Sequence, residues 1–524
     1  MKLREQRVLG ASLWLVGCSL ARLLLTVVAQ AVVVATFGAE RGDTDAFVAA
    51  FRLPQILGDH LLGGTLFLCV LPLLVEVRSR RGEAAAWALF RGVLLWSAVA
   101  LGATSVGYGL AARPALSLLV PELARTQGAL LLGLAYWLAP ALGLLGLSML
   151  GTAGLQSRRH FATSALATLA VPLAVIVSVS SLGERVGVTS WAWGLVAGLL
   201  VQVGVQFWAL VRFGFRFGRR GAARCALASG RGKPRPCDGA TWLVALPVAA
   251  AIMVGQVSIL VQQYFGSRLP GALTYLYYAE ALVRLPLGLA LAPLVAALFP
   301  LLAHDWAEGR PAAMRENVLQ GLRALLLLSV GVLVVAVVSA PGLIGFIFVR
   351  KAFTAENARL LSGVFLVYAA GLLPLGAGQL VSRSLYASGA VVMVLVASSA
   401  KLVAALLLYA GLYRWGRLWG LAGGYVVVQW VMLLALVGGF ARRHGPVRWG
   451  ALLPAVRDTL LAGSAALLVG GAVRWLLLQP WSREVWTDLV ALALTGGVFL
   501  LVAWLLGNAE LRLLVARLRE GARR

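Results

Sequence analysis

Long apolar runs separated by short polar segments extend along the whole chain. An α-helix needs about 20 mainly apolar residues to cross the hydrocarbon core of a bilayer. Fourteen runs approach or exceed this length, so the pattern predicts an all-α polytopic membrane protein with about 14 transmembrane helices. The predicted spans are 9–37, 47–76, 86–112, 128–154, 160–181, 187–212, 241–265, 271–303, 317–347, 358–386, 388–411, 416–440, 451–475 and 486–507.

Two short motifs recur in the same order and indicate that the first twelve spans form two similar lobes. Arg52-Leu53-Pro54 recurs as Arg284-Leu285-Pro286, and Leu71–Leu74 recurs as Phe299–Leu302. The copies are an even number of spans apart, so they run in the same direction, as in parallel repeats. We predict an N-terminal lobe at 1–213, a basic cytoplasmic linker at 214–239, a C-terminal lobe at 240–445, and a last helix pair with a basic tail at 446–524.

Composition and charge agree with a membrane protein. Hydrophobic residues make up 60% of the 524 residues and charged residues 13%, against about 25% charged in a typical soluble protein. The formal net charge is +26, but the basic residues are concentrated in short loops between apolar runs. This is the positive-inside pattern, which argues against a nucleic-acid-binding protein and predicts that both termini are cytoplasmic. Arg350 and Lys351 fall on the opposite side.

The linker at 214–239 admits two interpretations. It contains seven basic residues and two interleaved phenylalanines, Phe215 and Phe217. One interpretation is a surface helix that binds anionic lipid head groups. The other is an orientation signal between the two lobes, with no ligand of its own.

Catalytic and metal-binding chemistry has little support in the sequence. The four cysteines include no C-x-x-C pair, and the chain has only four histidines. No Ser-His-Asp set, metal-ligand cluster or phosphate-binding G-x-x-x-x-G-K is present. We therefore predict neither an enzyme nor a bound cofactor or metal, and we expect no disulfide.

Two arginines lie deep within predicted spans. Arg22 is near the middle of the first span, and Arg284 is far into the eighth with Glu280 one turn before it. A charged side chain in hydrocarbon must face protein or water, because lipid cannot solvate it. Both arginines are candidates for a water-filled cavity. Arg22 could instead form a structural ion pair or snorkel towards the membrane surface, and Glu280 and Arg284 could simply neutralise each other.

The second span carries a polar stripe. Arg52 and Asp59 are seven residues apart and therefore share one helical face. That face is expected to line a wet space, where Arg52 could bind substrate or only gate or anchor the helix. Other polar groups in the spans, including Lys401, are assigned mainly to interhelical hydrogen bonds.

A series of short motifs links the chain to a known family. The stretch from Phe37 to Leu74 contains Phe-Gly-Ala, then Thr-Asp-Ala-Phe, then Phe-Arg-Leu-Pro. Further motifs follow at Tyr277–Glu280, Lys351–Thr354 and Ser384–Gly389. Together they resemble the MurJ/MviN lipid II flippases, which belong to the multidrug/oligosaccharidyl-lipid/polysaccharide exporter superfamily. The resemblance covers most of the chain and implies two six-helix lobes followed by a terminal helix pair.

The resemblance also implies a function. It implies a flippase of the bacterial cytoplasmic (inner) membrane that moves a polyprenyl-pyrophosphate-linked peptidoglycan precursor by alternating access. Cavity arginines would bind the pyrophosphate, and the lipid tail would lie in a groove beside the last two spans. Arg22 and Asp45 match charged positions of the family, whereas Arg284 stands three positions after the family's arginine. The family's arginines near Val28 and at Gly58 are missing here.

These departures leave alternatives open. The first is an exporter of a different lipid-linked glycan. The second is a transport-dead homologue that binds envelope-synthesis proteins as a scaffold. A cation-coupled drug exporter is least favoured, because it needs acidic cavity residues, and the candidates Asp59 and Glu280 are outnumbered by arginines.

Overall fold

A computed structural model describes residues 2–39, 42–158, 160–215, 239–446, 449–477, 485–508 and 511–512. Within these ranges the regular structure is helical, and eleven helices are long and apolar enough to cross a membrane. Two further helices, at 43–81 and 272–307, are each interrupted by a π-helical segment, and Val391–His444 covers two predicted spans. The polytopic all-α fold is thus confirmed, and the helices are consistent with the 14 predicted spans.

The described residues form two compact units, Met1–Thr274 and Tyr275–Arg524. In the first unit, α6 contacts α2, α3, α4 and α9 and is the central helix. A Cβ atom at Gly146 of α6 would lie 2.5 Å from Leu101, so this glycine permits close approach of two helices. The helices are α1 (Lys2–Phe37), α2 (Asp43–Gln55), α3 (Gly64–Arg81), α4 (Glu83–Leu119), α5 (Pro121–Thr126), α6 (Gly128–Ser157), α7 (Phe161–Ala167), α8 (Ala170–Val186), α9 (Thr189–Arg212) and α10 (Gly239–Gly266).

In the second unit, α13 is the central helix and contacts α12, α14, α15, α17 and α18. The unit boundary falls within α11, after Thr274. The helices are α11 (Ala272–Pro286), α12 (Ala292–Ala307), α13 (Pro311–Phe348), α14 (Ala355–Ala370), α15 (Leu372–Ala387), α16 (Val391–His444), α17 (Leu453–Leu477) and α18 (Val485–Leu505), with a 3₁₀ turn at Trp449–Leu452. α16 is broken at Arg417, where φ is 48° and ψ is −123°, and its two arms match the predicted spans 388–411 and 416–440.

The recurring Arg-Leu-Pro motif has the same local structure in both copies. Each copy ends an α-helical segment, at Gln55 and at Pro286, and a π-helical segment follows at Ile56–Gly63 and Leu287–Leu291. Proline cannot donate the i→i−4 hydrogen bond, so each helix is weakened at this point. The local repeat is therefore present, and the superposition of the whole lobes stays a prediction.

The last two helices pack on each other and on α13. Their contact buries Val334, Ala462, Ala466 and Phe499 in one apolar cluster. This packing places the C-terminal helix pair within the second unit.

The predicted lobe boundaries differ from the division into compact units. α10, which the sequence places at the start of the C-terminal lobe, contacts α3, α4 and the segment Ile56–Gly63. It therefore belongs to the first unit. The boundaries at 213, 240 and 445 stay predictions, and linker residues 216–238 lie outside the described residues.

Candidate functional site

Asp45 caps the beginning of α11. Its side chain is 2% exposed, and the Gly271 N–H donates to Oδ2 at 2.7 Å. The Thr274 N–H and hydroxyl donate to Oδ1 at 2.8 Å and 2.5 Å. The first N–H groups of a helix have no partner within the helix, and a carboxylate there also interacts favourably with the helix dipole. These contacts give Asp45 a structural task, and its predicted contact with substrate stays a prediction.

The Asp45 carboxyl also has unusual acid–base behaviour. Asp45 lies in the first turn of α2, before the predicted second span, 47–76, begins. Burial raises its pKa to about 6 from an ordinary 3.8, although the hydrogen bonds from Thr274 and Gly271 act in the opposite direction. The carboxyl is therefore placed to change its protonation state slightly below neutral pH.

Arg52 is buried on α2, close to a backbone carbonyl that has no i→i−4 hydrogen-bond donor within the helix. Its Nη1 lies 3.5 Å from Oε1 of Gln55, at the limit of a hydrogen bond. Pro54 has no N–H for the carbonyl of Ala50, four residues earlier. The Tyr108 hydroxyl donates to that carbonyl at 2.8 Å. α4 thus stabilises the helix that carries Arg52.

The structure describes the side chain of Arg22 but not that of Asp59. The Arg22 side chain is exposed on α1, within the apolar span Gly17–Phe37. Its predicted place in a water-filled cavity stays a prediction. The side chain of Asp59 lies outside the described residues, and its assignment stays a prediction.

Glu280 and Arg284 form an ion pair in the second unit. Arg284 Nη2 lies 2.6 Å from Glu280 Oε1, and the two side chains are 46% and 17% exposed. Lys401 of α16 is close enough to Glu280 for electrostatic attraction, and the hydroxyl of Tyr425, on the other arm of α16, is also within its electrostatic range. Arg284 pairs with Glu280 and Lys401 lies within electrostatic range of the same carboxylate, so the three charged side chains carry a net positive charge.

Lys401 is not among the site residues predicted from the sequence. From the sequence, it is assigned to the polar side chains that form hydrogen bonds between helices. Its only distinguishing signal in the sequence is that it is the one charged residue within the predicted span 388–411. Its proximity to Glu280, 121 positions earlier, follows only from the packing of α16 against the rest of the unit.

An apolar groove of about 540 Å³ lies on a neighbouring face of α11. Leu285 and Pro286, which directly follow Arg284, line one side of it. Residues of α13, α14 and α18 line most of the rest, and Phe499 is among them. A charged group and an apolar groove thus lie beside each other along a single helix, as an amphiphilic ligand requires.

The described residues offer no site for a metal ion. Among them, no three His, Cys, Asp or Glu side chains are grouped closely enough to ligate one. The set around Glu280 contains more cations than acids, which would repel a metal cation. Its charge suits an anion.

Solved structures of membrane transporters share the fold of this chain. The inward closed conformation of a lipid II flippase MurJ matches with a TM-score of 0.70 and 15% identity, covering 93% of this chain and 97% of that one. An inward-facing multidrug resistance MATE family transporter of the MOP superfamily matches with a TM-score of 0.63 and 15% identity, covering 82% and 95%. These likenesses define the class: a polytopic α-helical transporter fold.

Sequence comparison identifies the family within that class. The family model described as Lipid II flippase MurJ matches residues 33–494, and the chain belongs to this family. A probable lipid II flippase MurJ of Bdellovibrio bacteriovorus is 25% identical over 458 residues, covering 84% of each chain. One of Buchnera aphidicola is 24% identical over 425 residues, covering 79% of this chain and 80% of the other. The predicted resemblance is confirmed, and the chain is a transporter and not an enzyme.

Proposed function

We propose that this chain moves a lipid II-like precursor, a polyprenyl-pyrophosphate-linked glycan, across the bacterial cytoplasmic membrane by alternating access. Membership of the MurJ family and the names of the relatives support the substrate class. The observation that carries the proposal is the positively charged set Glu280, Arg284 and Lys401 beside an apolar groove. A charged head group and a long lipid tail need those two environments together.

The head group would bind by exchange of ion-pair partners. Arg284 pairs with Glu280. A pyrophosphate offers the guanidinium two parallel hydrogen bonds, which one carboxylate oxygen does not. As Arg284 turns to the pyrophosphate, Lys401 would act as the counter-charge of Glu280, so this half-buried carboxylate is not left without a cation nearby.

The sequence adds two arginines of the first unit to the proposed substrate-binding residues. Arg22 is exposed on α1, and Arg52 is held on the supported segment of α2. The sequence predicts that Arg22 and Arg284 share one cavity, and this stays part of the proposal. Lysine at either position should substitute only in part, because its compact ammonium lacks a planar fork.

The groove would hold the lipid tail without adding much affinity. Its walls are almost wholly apolar and belong to α11, α13, α14 and α18. Since bilayer hydrocarbon is as apolar as these side chains, moving a tail from lipid into the groove has little hydrophobic driving force. The groove would instead keep the tail beside the unit while the head group crosses.

The orientation belongs to the same proposal. The positive-inside pattern supports cytoplasmic termini and a cytoplasmic linker, where the basic residues of the linker would meet the anionic lipids of the inner leaflet. An impermeant thiol reagent applied to intact cells should then fail to label single-cysteine variants that retain Cys225 or Cys237. Labelling of either cysteine from outside would reject this orientation.

Complementation of a bacterium depleted of its own lipid II flippase tests the function. The wild-type chain should restore growth, and Arg284→Ala should fail at unchanged abundance in the membrane. Arg185→Ala, an exposed arginine of the first unit, is the matched control and should restore growth. Growth with Arg284→Ala would remove the proposed role of the ion pair, and failure of the wild type would favour a different glycan or a scaffold.

A further inference from the structure

Five basic side chains are gathered at one end of the second unit. They lie in the loop 349–354, in the first turns of α14 and around the break in α16, and all are exposed. Glu356 is the one acid within 349–360 and 411–420, so these segments carry a net charge of +4. The five are Arg350, Lys351, Arg359, Arg414 and Arg417.

The loop and the helix break belong to the same end of the unit. α13 ends at Phe348 and α14 begins at Ala355, so the loop joins their adjacent ends. Trp419, just past the break, packs on α14, since a Cβ atom at Gly363 would lie 2.4 Å from its ring. The basic side chains of both segments can therefore act on one surface.

The backbone is strained at two of these basic residues. Lys351 has φ 43° and Arg417 has φ 48°, and they are the two non-glycine residues with positive φ in the described part of the chain. Glycine normally occupies such positions, because a Cβ atom crowds the following carbonyl there. Strained positions of this kind cluster at ligand-binding and other functional sites.

The segments that carry the five basic residues also carry large, exposed aromatic side chains. Trp415 is 92% exposed and Trp419 is 49% exposed. The Arg350 guanidinium lies 6.0 Å from the ring centroid of Phe346, which is 52% exposed. Indole rings favour the boundary between hydrocarbon and head groups, whereas a soluble polyanion would give these rings no apolar partner. Charge and aromatic surface together fit a membrane lipid.

The location conflicts with the usual distribution of charge. By alternation of the spans, this end lies opposite the end at which α18 finishes, and the predicted orientation makes it the outer one. Basic residues are normally depleted from outer loops, because they oppose insertion in this orientation. Their accumulation here therefore needs a compensating interaction on the outer side.

We propose that this basic–aromatic rim, formed by the five basic residues with Trp415 and Trp419, binds anionic phospholipid head groups of the outer leaflet. Arg414 and Arg417 would hold the phosphates, and the two indoles would lie at head-group depth. The interaction is independent of the transported substrate. It would fix the depth of the second unit in the membrane.

Quenching of Trp415 by brominated lipids tests the rim. The full-length protein is reconstituted into vesicles that contain brominated phosphatidylglycerol or brominated phosphatidylcholine at equal mole fraction. The difference in emission between the wild type and Trp415→Phe isolates this indole among the 17 tryptophans. Brominated phosphatidylglycerol should quench Trp415 more strongly than brominated phosphatidylcholine. In Arg414→Gln/Arg417→Gln, the binding constant for phosphatidylglycerol relative to phosphatidylcholine should fall about fivefold for each arginine removed.

Arg113→Gln/Arg185→Gln is the matched control, since it removes two exposed arginines of the first unit and the same charge. It should keep the preference for phosphatidylglycerol. Equal quenching by the two lipids would overturn the proposal, and so would a preference that survives in Arg414→Gln/Arg417→Gln. Quenching that responds only to added polyprenyl pyrophosphate would also contradict it, because the rim would then serve the substrate.

Discussion

The Asp45 carboxylate should make the stability of the first unit depend on pH in an unusual direction. Burial raises its pKa from 3.8 to about 6. The folded chain therefore takes up this proton at a higher pH than the unfolded chain does. Stability contributed by Asp45 consequently increases as pH falls through about 6, and the gain is complete below the unfolded value near 3.8. Most acidic residues held in ion pairs behave in the opposite way.

The size of this effect follows from the shift. A rise of about two pKa units corresponds to about 3 kcal/mol between fully ionised and fully protonated Asp45. Between pH 8 and pH 5 only part of that difference is realised, which gives about 1.4 kcal/mol. The Asp45→Asn variant has no titrating group at this position, so the free energy of unfolding of the wild type should gain about this amount relative to the variant over the same interval.

Unfolding by sodium dodecyl sulfate in mixed micelles, repeated at four pH values from 8 to 5, measures the effect. Other titrating groups are common to both proteins and cancel in the difference. The Asp45→Asn substitution would also leave the Gly271 N–H facing an amide donor, so an offset that is constant with pH is expected. A difference that stays constant over the whole interval, or that moves in favour of the variant, would refute the reasoning.

Two further substitutions test the packing of the first unit. Tyr108→Phe should lower the free energy of unfolding by about 1–2 kcal/mol, because it leaves the Ala50 carbonyl buried beside Pro54 without a donor; an unchanged unfolding curve would contradict this support. Glu83→Gln should lower the thermal midpoint in low salt more than in high salt, since Glu83 pairs with Arg78 and with the largely buried Arg158. A loss of stability independent of salt would show that the ion pairs are not its cause.

Much of the fold could be predicted from apolar run length alone. The break in α16 falls where the sequence places Arg-Trp-Gly-Arg, and the last two runs form a packed helix pair. The π-helical segments could not be predicted, because they depend on packing as well as on Pro54 and Pro286. At Gly58 a Cβ atom would lie 2.6 Å from the carbonyl oxygen of Leu142, a contact that only the assembled unit reveals.

The charged pair of the candidate site could be predicted from the sequence, but the long-range contacts between its residues could not. Charges within apolar spans identified Glu280 and Arg284 as a pair, and their spacing of four residues is sufficient for that inference. The capping contact of Asp45 joins residues 229 positions apart, and no local pattern encodes it. Lys401 is likewise distant from Glu280 in sequence, and its relation to the pair depends on tertiary packing.

Transfer of labelled lipid II between leaflets of reconstituted vesicles tests the central claim most directly. The purified wild-type chain, with and without an imposed membrane potential, should expose lipid II from the inner leaflet faster than empty vesicles do. Arg284→Ala should reduce that rate at least about tenfold, and Arg284→Lys should restore it only in part, because lysine cannot bind two phosphate oxygens in parallel. Transfer by the wild type no faster than in empty vesicles, or full transfer by Arg284→Ala, would contradict the account.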